Sequence, residues 1–441
     1  MLLSFRVANH RSIKEEQQLL LGPVYEVDRP EGTEWQAVPV AAVFGANAAG
    51  KSNVVDALRY MADMVRSSHR DAEPGAGIRR SPFALDGECR SEPSWFVVDL
   101  SLDGVRHTYG FSLDDDRVID EWLYSYPHGR KRIVFQRSGE DFTFGDAQPR
   151  KELELVRKIT EPNSLFMSVA ARSRQDAFRP VYAWFTGGLR FRSGAQGDLL
   201  FRVSAAGKLL TDPARIPGVV GLLKAADLGI ENVGVERVAI DDLSPLGRTY
   251  RLAEAISDNS SDSASGMPRA MRREVTRVWV EQRGRHGPVR LGLEDQSAGT
   301  KALLAYAGSV LEVLERGGLL VVDEIDSSLH PRLTAHLIKL FQEEATNPRG
   351  AQLLLTTHDA SLLGRSGGED ILKRDQVWFV EKDGYGETTL FPLSDFKPRT
   401  EENRERRYLG GSYGAVPLLN EELFAAAVAV REGTGGEDAE E

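Results

Sequence analysis

The chain has 441 residues, of which 41 % are hydrophobic and 27 % are charged, the ordinary mixture of a globular protein. Its net charge of −11 argues against a protein that coats nucleic acid through overall charge. The single cysteine, Cys89, excludes an intramolecular disulfide framework and a cysteine-based zinc cluster. At about 150 residues per domain, the length allows two or three domains.

The sequence predicts no membrane segment. The first residues, MLLSFRVANHRS, become polar too early for a signal peptide. No apolar run approaches the roughly 18 residues that are needed to cross a bilayer. Together with the single cysteine, these features predict a cytoplasmic protein that makes no membrane contact.

Residues 1–148 combine a buried strand, a helix and an antiparallel region. A strand-like start leads to the apolar run VPVAAVFG, which is typical of a strand buried on both faces. The apolar residues from Lys51 to about Ser67 recur at helical spacing. From about Pro82 to Gly145, four period-two runs with DG, PHG and SGED turns predict an antiparallel meander.

Residues 149–287 predict a mixed, mostly helical and basic insertion. The stretch from Lys151 to Arg290 holds 22 basic and 16 acidic residues, a net charge of +6, which leaves −17 for the rest of the chain. The polar tract Ser257 to Gly266 predicts a mobile loop. Met267 to Arg290 contains seven arginines against two glutamates. A phosphate-contacting surface explains these arginines about as well as a solvated helix face or pairing with the acidic tail does.

From residue 288 to residue 400 the pattern returns to alternating strands and helices, which predicts parallel βαβ units. A helix is expected from about Ala298 to Arg316, and another from about Pro331. The strands are LLVVDE, QLLLTTH and VWFVEKDG. Residues 401–441 form an extension whose last ten residues, EGTGGEDAEE, predict a disordered acidic tail.

The strongest motif follows the first buried strand and opens the first long helix. It matches G-x-x-x-x-G-K-[ST], a loop whose backbone N–H groups and helix N-terminus bind phosphates. Lys51 is expected to reach the β- and γ-phosphates of ATP, and Ser52 is expected to bind Mg²⁺. The nucleotide-binding residues predicted here are Gly45, Ala46, Asn47, Ala48, Ala49, Gly50, Lys51, Ser52 and Asn53.

A second element is the acidic pair at the end of LLVVDE. Asp323 is expected to hold Mg²⁺ through water, and Glu324 to polarise the attacking water. Taken alone, the pair would also suit the end of an edge strand. His358 lies 34 residues beyond Glu324 at the end of a strand, where a neutral imidazole can donate to a γ-phosphate. His330 is interpreted as an ordinary polar loop residue.

A third element, QSAGTK at 296–301, opens the helix that precedes the acidic strand, and its Ser297 lies 26 residues before Asp323. As structure alone, Ser297 is explained as a helix N-cap. Such a helix start can also offer hydroxyl and N–H donors to the γ-phosphate of another subunit.

These motifs resemble those of ABC-type ATPases of the soluble branch that includes RecF, the SMC heads and the OLD-type nuclease ATPases. In detail the chain is most similar to bacterial AAA family ATPases with a RecF-like domain, which are often found in phage-defence loci. The resemblance covers most of the chain. It implies an α/β P-loop NTPase of ABC-ATPase type, with a mixed sheet core, an antiparallel β subdomain and the inserted middle segment. The stretches that carry it are NHRSI, GANAAGKSN, SAGTK, LLVVDEIDSSLHP, TTHD and ENRERRYLGGSYGAVP.

The resemblance also implies an assembly, in which two heads sandwich two ATP molecules. Ser297 and Gly299 would then act in trans, Asp326 would lie at the dimer interface, and His358 would sense the γ-phosphate. A homodimer or higher oligomer that acts with a separately encoded effector protein is the expected arrangement.

Some features depart from the family pattern. The signature sequence of ABC-type ATPases is QSAGT here rather than LSGGQ. Only the roles of its serine and glycine are therefore transferred to this chain. Gln136 and Gln175 are weak candidates for the Mg²⁺-sensing glutamine, and Tyr25 or Arg11 for the adenine contact. About 40 residues follow Pro398, too few for the nuclease domain of OLD-type relatives.

The leading hypothesis is therefore an ATPase subunit of a bacterial anti-phage system. The alternative is a RecF-like repair ATPase that binds DNA through its arginine-rich insertion. A transporter ATPase is disfavoured because 246 residues separate Lys51 from Ser297.

Overall fold

The computed structural model describes residues 1–25, 36–173, 175–193, 207, 210–226, 229–239, 274–327, 329–399, 402–417 and 420–429. The loop predicted at Ser257 to Gly266 and the predicted acidic tail lie outside these residues. In the described parts of the chain, no helix combines the length and the apolar character needed to cross a bilayer.

The strands, in chain order, are β1 Leu2–Ala8, β2 Gln17–Leu20, β3 Val40–Gly45, β4 Ser94–Leu102, β5 Val105–Leu113, β6 Val118–Tyr126, β7 Arg132–Ser138, β8 Asp141–Phe144, β9 Leu189–Ser193, β10 Ile230–Ala239, β11 Glu274–Gly284, β12 Gly287–Gly292, β13 Leu319–Asp323, β14 Gln352–Thr357, β15 Arg365–Ser366, β16 Glu369–Asp370, β17 Val377–Lys382 and β18 Thr388–Pro392.

The α-helices are α1 Lys51–Asp71, α2 Arg150–Lys158, α3 Phe166–Arg172, α4 Arg179–Ala183, α5 Ile216–Ala225, α6 Ala298–Arg316, α7 Pro331–Gln342, α8 Arg404–Leu409 and α9 Glu421–Ala429.

A six-stranded sheet in the order β18-β17-β3-β14-β13-β9 forms the centre of the fold. All its pairings are parallel except that of β17 with β18. Alternate residues of β3 enter opposite cores: Ala41 and Val43 pack on one side, and Val40, Ala42 and Phe44 on the other. The continuous apolar run therefore reflects a strand buried on both faces, as the sequence predicts.

A seven-stranded sheet in the order β2-β1-β4-β5-β6-β7-β8 is antiparallel throughout. Strands β4 to β8 form the predicted meander, in which the SGED turn joins β7 to β8 as a hairpin. The sheet contributes Phe96 and Phe111 to the first core, together with Leu58 and Met61 of α1. Helix α1 thus lies between the two sheets, and its apolar residues recur every three or four positions to fill that space.

Helices α6 and α7 cover the other face of the central sheet. Leu303, Leu304 and Ala307 of α6 share a core with Leu337 and Ile338 of α7. The fold is thus an α/β P-loop NTPase of ABC-ATPase type with an antiparallel β subdomain, as expected.

The described part of the middle segment contains helices α2 to α5 and also strands. Strand β9 pairs in parallel with β13 and forms one edge of the central sheet. Strands β10, β11 and β12 form a separate antiparallel sheet. The described arginines near residue 280 therefore lie on strands or their turn, and the solvated helix face considered for them is wrong. Val278 and Val280 are both buried, which is the period of two that a strand requires.

Candidate nucleotide-binding site

The phosphate loop follows β3 and ends in the first turn of α1. Ala48 and Gly50 have positive φ angles of 62° and 109°, so the loop winds back before the helix begins. A Cβ atom on Gly50 would lie 2.3 Å from Thr388 Oγ1, and one on Gly45 would lie 2.5 Å from the Val380 carbonyl oxygen. Both glycines are therefore required by close contacts, and Gly50 is also required by its positive φ angle.

Lys51 is buried at the start of α1 and its side chain curls back over the loop. Its Nζ donates to the carbonyl oxygens of Gly45 (2.7 Å) and Ala46 (2.9 Å). Burial lowers the pKa of Lys51 to about 8, although the nearby carboxylates of Asp326, Asp323 and Glu324 work in the opposite direction. A polyphosphate would favour the charged ammonium, so this lysine is suited to bind an anion.

The acidic strand β13 brings its carboxylate to the phosphate loop. Ser52 Oγ donates to Asp323 Oδ1 at 3.2 Å, across 271 residues of sequence. Two neighbouring ligand oxygens of an octahedral Mg²⁺ lie about 3 Å apart, because each Mg–O bond is about 2.1 Å. The hydroxyl and the carboxylate therefore fit a shared Mg²⁺, held directly or through one water.

Thr356 joins the two acidic residues, a role that the sequence reasoning missed. Its Oγ1 donates to Asp323 Oδ1 (2.6 Å) and accepts from the Glu324 backbone N–H (2.8 Å). Glu324 itself has a φ angle of 54° and a half-buried side chain. The signal available in the sequence was a threonine at the end of the strand that neighbours the acidic strand in a parallel sheet.

His358 follows β14 and faces the lysine. Its Nδ1 lies 3.2 Å from Lys51 Nζ, and its backbone N–H donates to Asp326 Oδ2 at 3.1 Å. The ring is exposed at the edge of the sheet. The structure thus brings together Lys51, Ser52, Asp323, Asp326 and His358 from three segments of the chain.

The signature loop lies at the start of α6 and is exposed at Ser297 and Ala298. Ser297 caps the helix, because its Oγ accepts from the Thr300 N–H at 3.1 Å. Gln296 accepts from Gln282 Nε2 at 3.0 Å, which ties the loop to β11. The signature loop therefore exposes the capped start of α6 to solvent. Its Gln296 connects the loop to the β10–β12 sheet through a hydrogen bond.

His330 also caps a helix. Its Nδ1 accepts from the Arg332 N–H at 3.2 Å at the start of α7. The interpretation of His330 as a residue outside the chemistry agrees with this structural role.

A second group that the sequence reasoning missed supports the phosphate loop from behind. Thr388 of β18 is fully buried, and its Oγ1 donates to the Ala49 carbonyl at 2.9 Å. Ser12 Oγ lies 2.7 Å from the same hydroxyl and accepts from Asn53 Nδ2. The turn NHRS near the start of the chain is thereby fixed to the loop and to the first turn of α1.

Tyr25 and Arg11, the two residues considered for contacting adenine, lie in different parts of the fold. Arg374 stacks over Tyr25 at 4.0 Å, and Asp375 Oδ2 accepts from the Tyr25 N–H at 2.7 Å. Both partners precede the amino end of β17, whereas the phosphate loop follows the carboxyl end of the neighbouring parallel strand β3. Tyr25 is therefore at the wrong edge of the sheet for adenine stacking. Arg11 instead pairs with Asp56 of α1, one turn beyond the loop.

The two glutamine candidates are held by other contacts. Gln136 lies on β7 and donates to the Tyr124 hydroxyl, and Gln175 donates to the Ser173 carbonyl at 3.4 Å. Neither contact connects these side chains to the residues around Asp323.

Three of the described arginines on β11 and β12 form ion pairs with glutamates. Arg277 contacts Glu294 at 2.7 Å, Arg283 contacts Glu231 at 2.8 Å, and Arg290 contacts Glu281 at 3.3 Å. Their partners are glutamates of the sheet and of the segment that follows it, rather than the acidic tail considered from the sequence. Arg272 and Arg273 lie outside the described residues.

The central sheet, the phosphate loop and the acidic strand together define a P-loop ATPase of the AAA type. Residues 40–364 match the family described as "AAA domain, putative AbiEii toxin, Type IV TA system". This match spans most of the chain, and the chain belongs to that family.

Solved structures similar to the chain include three SMC heads. The SMC head bound to the C-winged helix domain of ScpA has 12 % identity and a TM-score of 0.44, over 90 % of this chain and 99 % of that one. The SMC head domain from Thermotoga maritima has 13 % identity and a TM-score of 0.39, over 89 % and 98 % of the two chains. The Pyrococcus furiosus SMC head with an extended coiled coil, bound to the C-terminal domain of ScpA, has 13 % identity and a TM-score of 0.38, over 90 % and 97 %. A search of curated protein sequences gave no match.

Proposed function

We propose that the chain binds ATP with Mg²⁺ and hydrolyses it at the carboxyl edge of the central sheet. One observation carries the proposal: Ser52 and Asp323 meet at 3.2 Å while Lys51 and His358 also meet at 3.2 Å, from the ends of three adjacent parallel strands. Ligands of open α/β sheets bind at this edge, where the strands end and the helices begin.

Binding follows from the charges at this edge. The loop N–H groups and the start of the 21-residue helix α1 favour phosphate oxygens, and the Lys51 ammonium adds a full positive charge. Ser52 and Asp323 would hold Mg²⁺. When bound, the ion supplies positive charge that neutralises the β- and γ-phosphate oxygens.

Water activation is assigned to Glu324. Glu324 follows Asp323 at the sheet edge. Its backbone N–H donates to Thr356 Oγ1, which fixes the backbone from which the carboxylate extends. A carboxylate at this position can orient a water for in-line attack on the γ-phosphorus and accept its proton. His358, with Nδ1 directed to the lysine, would donate from Nε2 to the γ-phosphate.

The signature loop would complete the site of a second copy. Ser297 and Gly299 lie at the start of the 19-residue helix α6, whose positive end favours anions. Asp326 would lie at the same dimer interface. Closure of two heads on two ATP molecules would then be the step that drives or gates a partner.

For the biological role we propose the ATPase subunit of an anti-phage system, acting with a separately encoded effector. The description of the family names a "Type IV TA system", which supports a role beside a second component. Co-purification with an effector from the native host, in ATP but not with Lys51→Ala, would support this role.

The RecF-like alternative requires a surface that binds DNA. The glutamate partners of Arg277, Arg283 and Arg290 reduce the positive charge that these side chains offer to phosphates. DNA binding that weakens with salt and is lost in Arg272/Arg273/Arg277→Glu would favour this alternative.

The experiment that tests the enzymatic proposal measures phosphate release from ATP. The wild-type chain should release phosphate in Mg²⁺ and stop in EDTA, and Lys51→Ala should be inactive because it loses the charge that binds the phosphates. Lys339→Ala is a matched control, because Lys339 is an exposed lysine of α7 that pairs with Glu343. Equal release by wild type and Lys51→Ala would contradict the proposal.

A further inference from the structure

We infer that Thr356 is a positioning residue of the proposed ATPase site, one that sets the orientation of both acidic side chains. The inference rests on the proposed function and assigns a role to a residue for which the sequence predicted none. Thr356 lies at the end of β14, between the phosphate-loop strand β3 and the acidic strand β13.

The hydroxyl of Thr356 makes two contacts of opposite kind. A hydroxyl has one hydrogen, and here it points to Asp323 Oδ1 at 2.6 Å. A lone pair of the same oxygen then accepts from the Glu324 N–H at 2.8 Å. Since Thr356 is fully buried, its hydroxyl has no access to water and depends on these two partners.

The contact with Asp323 bears on the Mg²⁺ position. Oδ1 is the oxygen that also accepts from Ser52 Oγ at 3.2 Å. Thr356 therefore holds the same carboxylate oxygen that faces the phosphate loop. Groups that orient a ligand in this way typically change metal affinity or activity about 10- to 100-fold when they are removed.

The contact with Glu324 bears on the attacking water. Glu324 has a φ angle of 54°, in the left-handed region, which a non-glycine residue adopts only when its surroundings hold it there. The hydrogen bond from the Glu324 N–H to Thr356 Oγ1 stabilises this conformation. Without it, the Glu324 carboxylate would lose its fixed direction at the sheet edge.

The chain offers a matched control one residue further along. Thr357 is equally buried on the same strand, but its hydroxyl accepts from the Asp359 N–H at 3.0 Å. Thr356→Val and Thr357→Val therefore remove the same buried hydroxyl, with only the first one contacting the acidic pair. Thr356→Ser keeps the hydroxyl and tests rescue.

The experiment measures two quantities on the full chain: the Kd of AMP-PNP in Mg²⁺ and in EDTA, and the kcat and KM for ATP. The Mg²⁺ gain is the Kd of AMP-PNP in EDTA divided by its Kd in Mg²⁺. In Thr356→Val this ratio should fall about tenfold, and kcat should fall about 10- to 100-fold. The Kd in EDTA should change less than about threefold. Thr356→Ser should recover most of both losses. Thr357→Val should keep the Mg²⁺ gain even if its Tm falls as much as that of Thr356→Val.

The inference is overturned if Thr356→Val keeps the wild-type Mg²⁺ gain and kcat, or if Thr357→Val loses them equally. If Thr356→Val does not fold, the same comparison with Thr356→Ala decides. Failure of the proposed function looks different, because the wild-type chain itself would then show no Mg²⁺-dependent phosphate release.

Discussion

Lys51 Nζ and His358 Nδ1 lie 3.2 Å apart, although 307 residues separate them in the chain. When Nδ1 accepts from the ammonium, the neutral ring carries its proton on Nε2. The two side chains therefore provide two donors at one edge of the sheet. This pairing depends on β3 and β14 being neighbours, which places the ends of both strands together.

Nucleotide affinity should fall as the pH rises above about 8, because the pKa of Lys51 is lowered to about 8. Phosphates select the protonated lysine, and a deprotonated lysine must first take up a proton. Between about pH 7.5 and 9.5 the Kd for ATP should therefore rise by about an order of magnitude. Binding titrations of Glu324→Gln with Mg²⁺-ATP measure this, since slow turnover preserves the nucleotide.

The control for this prediction is Lys51→Arg, whose guanidinium stays charged over the whole range. Its affinity should be weaker overall and nearly independent of pH. A steep loss in Lys51→Arg would assign the titration to another group.

Glu324→Gln should bind ATP normally but turn over about 10²- to 10⁴-fold more slowly, since an amide cannot accept the proton from water. With ATP retained, the closed dimer should accumulate. Size-exclusion chromatography with light scattering, with and without ATP, measures the dimer fraction. Wild-type turnover by this variant would remove Glu324 from the role of base.

Thr388→Val should weaken nucleotide binding without unfolding the chain. The variant loses the hydrogen bond to the Ala49 carbonyl and the contact with Ser12, worth about 1–3 kcal/mol together. If most of this loss falls on the loop, the Kd for ATP should rise about tenfold. Thr388→Ser should bind nearly as tightly as wild type.

The exposed Thr389 on the same strand supplies the comparison. Thr389→Val should leave the Kd within about twofold, because that side chain faces solvent. Equal Kd values for Thr388→Val and wild type would show that the loop holds its shape without the hydroxyl.

The motifs with local physical causes could be read from the sequence. The strand before Gly45 is continuous and apolar because both of its faces are buried, and Lys51 opens a helix because its loop must end in one. The positions of Asp323 and His358 at strand ends were also predicted, and the structure brings both side chains to the phosphate loop. Their roles in ATP hydrolysis stay predictions.

Contacts that depend on long-range pairing could not be read in this way. Thr388 lies 339 residues from Ala49, and nothing in its own stretch indicates that β18 is antiparallel and begins beside the loop. Strand β9 was likewise hidden inside a segment predicted to be mostly helical, since the edge of a sheet is chosen by its partner strand. Tyr25 had a plausible spacing, but spacing did not reveal the edge of the sheet at which it lies.

We propose that each ATP site is shared by two copies of the chain, and mixing two inactive variants tests this sharing most directly. Lys51→Ala loses its own phosphate loop, and Ser297→Arg blocks the signature that it offers to the other copy. In a mixed dimer one of the two sites keeps both elements intact, so an equal mixture should recover about a quarter of wild-type phosphate release. A mixture as inactive as the separate variants, or a Ser297→Arg chain that is fully active alone, would contradict the claim.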